Sequence, residues 1–158
     1  MYINTNKYNW KILFFGTLLL LYGTQSYSQK GDGMSNEMSI AKTINDNDLK
    51  WNPAPDFFPG CSFTILHGDI TEPNLDFFFK VEPNTEVITH THNSPERMIL
   101  ISGEMEVTYE NEPTTLLKSG TYAYGPAGKP HKAKCLYKGP CVLFIAMVSP
   151  FNAVPIEK

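Results

Sequence analysis

Residues 84–103 read NTEVITHTHNSPERMILISG, and this stretch decides the fold. Two strand-forming runs, 86–92 and 96–102, flank the turn-forming trio Asn93, Ser94 and Pro95. Side chains on a strand alternate between faces, so His90 and His92 point to the same side. Pro95 cannot donate to a sheet ladder, so the chain bends there. The bend is expected to bring Glu96 onto the adjoining strand, with Met98 and Leu100, in the same interior as the two histidines. Gly103 and Glu104 then form a hairpin turn.

The same grammar runs outward in both directions. Residues 61–67, 75–81, 105–109, 114–118, 121–124, 131–136 and 142–148 read as short strands. Between them lie Gly68-Asp69, Pro73-Asn74, Pro83-Asn84, Asn111-Glu112-Pro113, Ser119-Gly120 and the glycine- and proline-rich 125–130. Short strands at regular spacing, with turn residues between them, indicate an all-β sandwich or small barrel. No long amphipathic helix interrupts them, which argues against a doubly wound α/β fold. Trp51, Phe57 and Phe58 are expected to open the core.

Residues 1–28 read as a secretory signal peptide. Lys7 and Lys11 precede the apolar run 12–22, and the small residues Ser26 and Ser28 suit a cut after Ser28. The apolar run is too short to span a bilayer comfortably, so the processed chain is not expected to be an integral membrane protein. A periplasmic or extracellular location follows. Residues 29–50 are polar and read as a flexible linker or N-terminal arm, with room for a short helix or edge strand after Ser39. Residues 51–158 form the β-domain. Removing Lys7 and Lys11 leaves 11 basic against 16 acidic residues, a formal charge of −5, which argues against nucleic acid as a partner. Lys129, Lys132 and Lys134 form the one local basic cluster, and a solvated rim explains it as well as anion capture does. Of the three cysteines, Cys135 and Cys141 flank a turn and export permits a disulfide, but buried free thiols are the favoured expectation for them.

His131 follows the 125–130 turn far along the chain. A closed or nearly closed sheet would bring it to His90, His92 and Glu96. Three imidazoles and a carboxylate suit one divalent transition metal, with Fe, Mn, Zn, Ni, Co and Cu all compatible. Glu96 is either a direct ligand or an acceptor for the outer nitrogen of an imidazole. The fourth histidine, His67, near a turn, reads as a surface or hydrogen-bonded residue.

The segment Asn84-x5-His90-x-His92-x3-Glu96-x6-Gly103 resembles the first motif of the cupin family, and Gly120-x5-Pro126-x-Gly128-x2-His131-x3-Cys135 resembles the second. Asn84 stands where the family usually has Gly, a mild change because Asn tolerates turn conformations. Cys135 stands where it usually has Asn. The resemblance covers roughly residues 60–148. It implies a double-stranded β-helix, a jelly-roll barrel, with His90, His92, Glu96 and His131 as metal ligands, and a homodimer joined near residues 39–58. Cupins include dioxygenases, decarboxylases, isomerases, lyases and non-enzymatic binders, so the resemblance does not fix the chemistry. The leading expectation is an exported metal-dependent enzyme acting on a small molecule, with dioxygenase chemistry preferred. Non-catalytic binding or sensing of a metabolite, sugar or metal is the alternative. Strand parity turns Cys135 toward the interior beside His131, and Tyr122 and Tyr124 precede the turn. These three are the catalytic candidates beside the metal, with Met98 and Phe79 as apolar wall. No carboxylate pair for glycoside chemistry, Ser-His-Asp arrangement or phosphate-cradling loop is present.

Overall fold

The alternation in residues 75–81 becomes a strand whose Leu75, Phe77 and Val81 are buried, and the other runs behave alike. The structure, a computed structural model, describes residues 37–156. The expected signal peptide, the first part of the expected arm and the last two residues lie outside them. From Ile40 onward the chain forms one compact unit. Its strands are β1 (Asn52–Pro53), β2 (Cys61–His67), β3 (Leu75–Val81), β4 (Glu86–Thr91), β5 (Glu96–Ser102), β6 (Glu104–Tyr109), β7 (Thr115–Lys118), β8 (Tyr122–Gly125), β9 (His131–Cys135), β10 (Cys141–Met147) and β11 (Val154–Pro155). Residues 39–50 hold turns rather than a helix or strand; Thr43 and Asp46 close one of them through side-chain and backbone hydrogen bonds.

The strands make two antiparallel sheets. One runs β1-β2-β3-β10-β5-β8 and the other β11-β4-β9-β6-β7. Neither order returns to its first strand, so the closed jelly-roll barrel implied by the motifs does not form. The fold is all-β and cupin-like, with two open sheets face to face. The edges explain this. Closure needs an unbroken ladder of hydrogen bonds around the structure. β1 and β11 are two residues long and each contains a proline, which has no N–H to extend a ladder, while β7 and β8 are four residues long. The short, proline-bearing edges β1 and β11 are poor templates for a further strand.

Between the sheets lies a core that includes Phe58, Leu75, Phe77, Val81, Leu100 and Met147. Phe58 is buried, whereas Trp51 and Phe57 are half-buried, with the Lys80 ammonium over the Trp51 ring. Asn74, Asn84 and Asn111, each in an expected turn, take φ of 65°, 60° and 61°. Asn84 thus adopts the left-handed conformation that a glycine supplies at this position in the family motif.

Cys135 and Cys141 are joined in a disulfide, against the expectation of free thiols. The connection from β9 to β10 is short enough to hold their Cα atoms 5.7 Å apart, within bonding range. The bond closes the loop beneath Gly103, whose Cβ, were there one, would sit 2.9 Å from Cys141 Sγ and 3.0 Å from the Pro140 carbonyl. Cys61 is free and buried, and burial pushes its thiol up to about 11, with Glu82 adding to the shift.

Alkylation of the denatured, unreduced protein should therefore label one cysteine, Cys61, and reduction should expose all three. The double substitution C135S/C141S should cost about 2 kcal/mol of stability in urea unfolding, as expected for a short closed loop. Labelling of three cysteines before reduction would contradict the pairing.

Candidate metal centre

His90 and His131 are direct cross-strand partners on β4 and β9, and His92 follows one residue beyond β4. The five-stranded sheet thus presents three imidazoles on its inner face. Their ring centroids lie 4.2 Å (His90–His131), 4.7 Å (His90–His92) and 5.4 Å (His92–His131) apart. One ring nitrogen from each falls within 4.8 Å of the others, and all three side chains are buried.

Glu96 arrives from the other side. It opens β5, in the opposite sheet, rather than on a strand adjoining β4 as expected. The crossing is made by residues 93–95. Buried Ser94 fixes it: its hydroxyl accepts from the amides of Val148 and Ser149 at 3.0 and 3.2 Å. Glu96 Oε1 then lies 3.4 Å from His92 Nε2, and Oε2 lies 3.4 Å from His131 Nε2.

The outer nitrogens decide what the inner ones can do. His90 Nδ1 lies 2.7 Å from the Ile88 carbonyl, His131 Nδ1 lies 3.1 Å from the Lys129 carbonyl, and His92 Nδ1 contacts the Asn152 carbonyl. A carbonyl only accepts, so each Nδ1 carries a proton and donates it. In the neutral ring Nε2 is then a bare lone pair. Glu96 thus sits on the Nε2 side of His92 and His131 and supports none of the outer nitrogens.

Lone pairs and a carboxylate that face one another away from water repel unless positive charge joins them. The protonation equilibria report this. Burial, the largest effect, and then His131 lower His90 to about 4, which leaves it neutral at ordinary pH. Burial also opposes charge on His131, but its hydrogen bond to Glu96 and the Glu96 charge outweigh it, and the imidazole is raised. Burial likewise opposes the Glu96 anion, yet the His131 bond and the histidine charges hold the carboxyl below its usual range. A neutral imidazole, a pair seeking a shared cation, and three nitrogens plus one carboxylate fit a divalent transition metal. Outer-nitrogen bonds to backbone carbonyls are the support that ligating histidines commonly have.

The other candidates fall elsewhere. Tyr122 and Tyr124 pair with Ile99 and Arg97 on the outer face and are 60% and 54% exposed. Ala123 and Gly125, between and after them, face Met98 and Glu96 instead. One-residue parity on β8 therefore turns both phenols away from the histidine cluster and Glu96. Cys135 points inward as expected, but its sulfur is bonded to Cys141, so it offers no thiol for catalysis or oxidant sensing. Met98 and Phe79 do line the interior cavity, with His90, Glu96 and His131.

Tyr109 lines it too, and sequence reasoning passed it over. It ends β6, one step along the inward series Met105, Val107, Tyr109, and pairs with His131 across the ladder. Its ring lies 5.0 Å from that imidazole at 30°. Its hydroxyl is buried, and among the described residues it is the buried side-chain polar atom for which no acceptor or donor is in reach. Burial, then Glu96 and Glu112, push the phenol well above its ordinary range. Gly125 makes room for it: a Cβ there would sit 2.6 Å from the hydroxyl oxygen and 3.4 Å from Glu96 Oε2.

The family model for the cupin domain matches residues 77–147. No curated protein matches the chain. Solved structures share the fold. The polyketide cyclase RemF from Streptomyces resistomycificus is 16% identical, with a TM-score of 0.63 over 75% of this chain and 87% of that one. KdgF from Halomonas sp. is 19% identical, with a TM-score of 0.53 over 65% and 89%. The DMSP lyase DddQ from Ruegeria pomeroyi DSS-3 is 19% identical, with a TM-score of 0.57 over 68% of this chain and 60% of its own.

Gly125→Ala should destabilise the protein by about 1–3 kcal/mol, because the new methyl meets the Tyr109 hydroxyl. In a Tyr109→Phe background most of that loss should vanish, a coupling that a double-mutant cycle in urea measures directly. Additive effects would mean that the glycine serves some other contact.

Proposed function

We propose that this small cupin-superfamily protein is a metal-dependent enzyme acting on a small, oxygen-bearing molecule. One observation carries the proposal: three buried imidazoles spend their Nδ1 protons on the Ile88, Lys129 and Asn152 carbonyls and bring one ring nitrogen each within 4.8 Å of the others, with the Nε2 atoms of His92 and His131 3.4 Å from Glu96. His90, His92, Glu96 and His131 would hold one divalent transition ion. Such an ion supplies a Lewis acid that polarises a substrate oxygen and, in a redox-active form, a partner for dioxygen chemistry.

The rest of the work falls to the chain. Met98, Leu143 and Ile145 wall the cavity with apolar surface, which excludes water and strengthens the electrostatics inside. The cavity measures about 50 Å³. That is room for a few water-sized groups, against the roughly 300–1,000 Å³ of pockets for drug-sized ligands. The substrate that fits wholly inside is therefore a molecule of few heavy atoms.

Dioxygenase chemistry is the finer form of this proposal, carried from the sequence and marked experimentally by oxygen uptake. We place the activity outside the cytoplasm. The leader expected at residues 1–28 and the Cys135–Cys141 disulfide both support an oxidising compartment.

Protein dialysed against iron(II), manganese(II) or zinc(II) should retain about one equivalent by elemental analysis, and a chelator should lower its melting temperature by several degrees. His90→Ala and His131→Ala should each abolish retention. Background metal content in the wild type, with no chelator effect, would refute metal dependence. An oxygen electrode that stays flat with the iron form, across small hydroxy and keto acids, would remove the dioxygenase form alone.

A further inference from the structure

Tyr109 is the one polar group in the cavity that the metal ligand set does not use. A phenylalanine would stack on His131 and cover Met105 and Val107 equally well. The hydroxyl adds a buried donor and acceptor with no protein partner. Leaving such a group unmatched is destabilising. The chain goes further, since position 125 must lack a side chain for the hydroxyl to fit at all. Two residues from two different sheets are thus committed to holding one phenol oxygen beside Glu96. Packing does not ask for either of them.

Charge says what that oxygen meets. On the metal-dependent reading, a divalent ion, three neutral imidazoles and one carboxylate leave a net charge of +1 in a buried site. Uncompensated buried charge is costly, and one monoanion removes it. The cavity of about 50 Å³ limits that anion to a few heavy atoms. A hydroxyl donor next to a cation matches the two oxygens of a carboxylate, one for each.

We infer that the site takes a small monocarboxylate, and that Tyr109 binds it by donating a hydrogen bond from its hydroxyl to one carboxylate oxygen. The inference rests on the proposed metal centre and assigns it a ligand class. Tyr109 thereby sets specificity as well as affinity, because a ligand of the same size without an oxygen at that point would leave the hydroxyl unpaired.

The test is calorimetric titration of formate into metal-loaded wild type, Tyr109→Phe and Tyr122→Phe, with elemental analysis and thermal melts of the same samples. Tyr109→Phe should keep the wild-type metal content, melt at the same temperature or higher, and bind formate about ten-fold more weakly or worse. Tyr122→Phe, on the outer face, should match the wild type throughout. Equal formate affinity in Tyr109→Phe and wild type overturns the inference, as does a metal-loaded wild type that takes up no formate. A lowered melt with unchanged formate affinity assigns the hydroxyl to folding and overturns it too. If no sample retains metal, the proposed function fails separately. Formate titration of the metal-free proteins then decides the part played by Tyr109, which falls if affinity is the same with and without the hydroxyl.

Discussion

A carboxylate and three imidazoles are brought out of water together, and this constraint organises the molecule. Their mutual repulsion is relieved only where positive charge joins them, as a proton on His131 beside Glu96 or as a bound cation. A cation can sit there only if every ring is turned the right way. The turning is done by backbone carbonyls at Ile88, Lys129 and Asn152, groups whose positions are properties of the fold rather than of any side chain. The two sheets divide the task. One supplies the imidazoles and the other supplies Glu96, so the centre also ties the sheets together across the core.

Much of this was legible in the residues. The strands were readable because alternation and turn chemistry agree at nearly every junction; all three left-handed asparagines fall where a turn was expected. The clustering of His90, His92 and His131 was readable because two imidazoles two residues apart on a strand share a face. Closure was not. It depends on whether edge strands meet, and the prolines of β1 and β11 act over only two residues each. The side of the core on which Glu96 lands was missed for a related reason. Pro95 announces a bend and says nothing of which sheet the chain bends into.

Within the cavity, parity and pairing decide which candidate side chains face it. Tyr122 and Tyr124 were attractive as phenols near a glycine turn, but a shift of one residue moves a side chain to the opposite face. Tyr109 obeyed that same rule in its favour. The series Met105, Val107, Tyr109 was visible, and the missing information was its register against His131. For Cys135 the inward direction was correct. Its bond to Cys141 depended on the shape of a connecting loop, which composition does not specify.

The carbonyl that aims His92 belongs to Asn152, sixty residues further along the chain. A chain made from its N-terminus therefore carries two of its histidines long before the group that orients one of them exists. The contact that orients His92 is one of high sequence separation, a kind that forms slowly because loop entropy is lost before the contact is rewarded. The orientation of His92 is thus complete only once the C-terminal segment has docked.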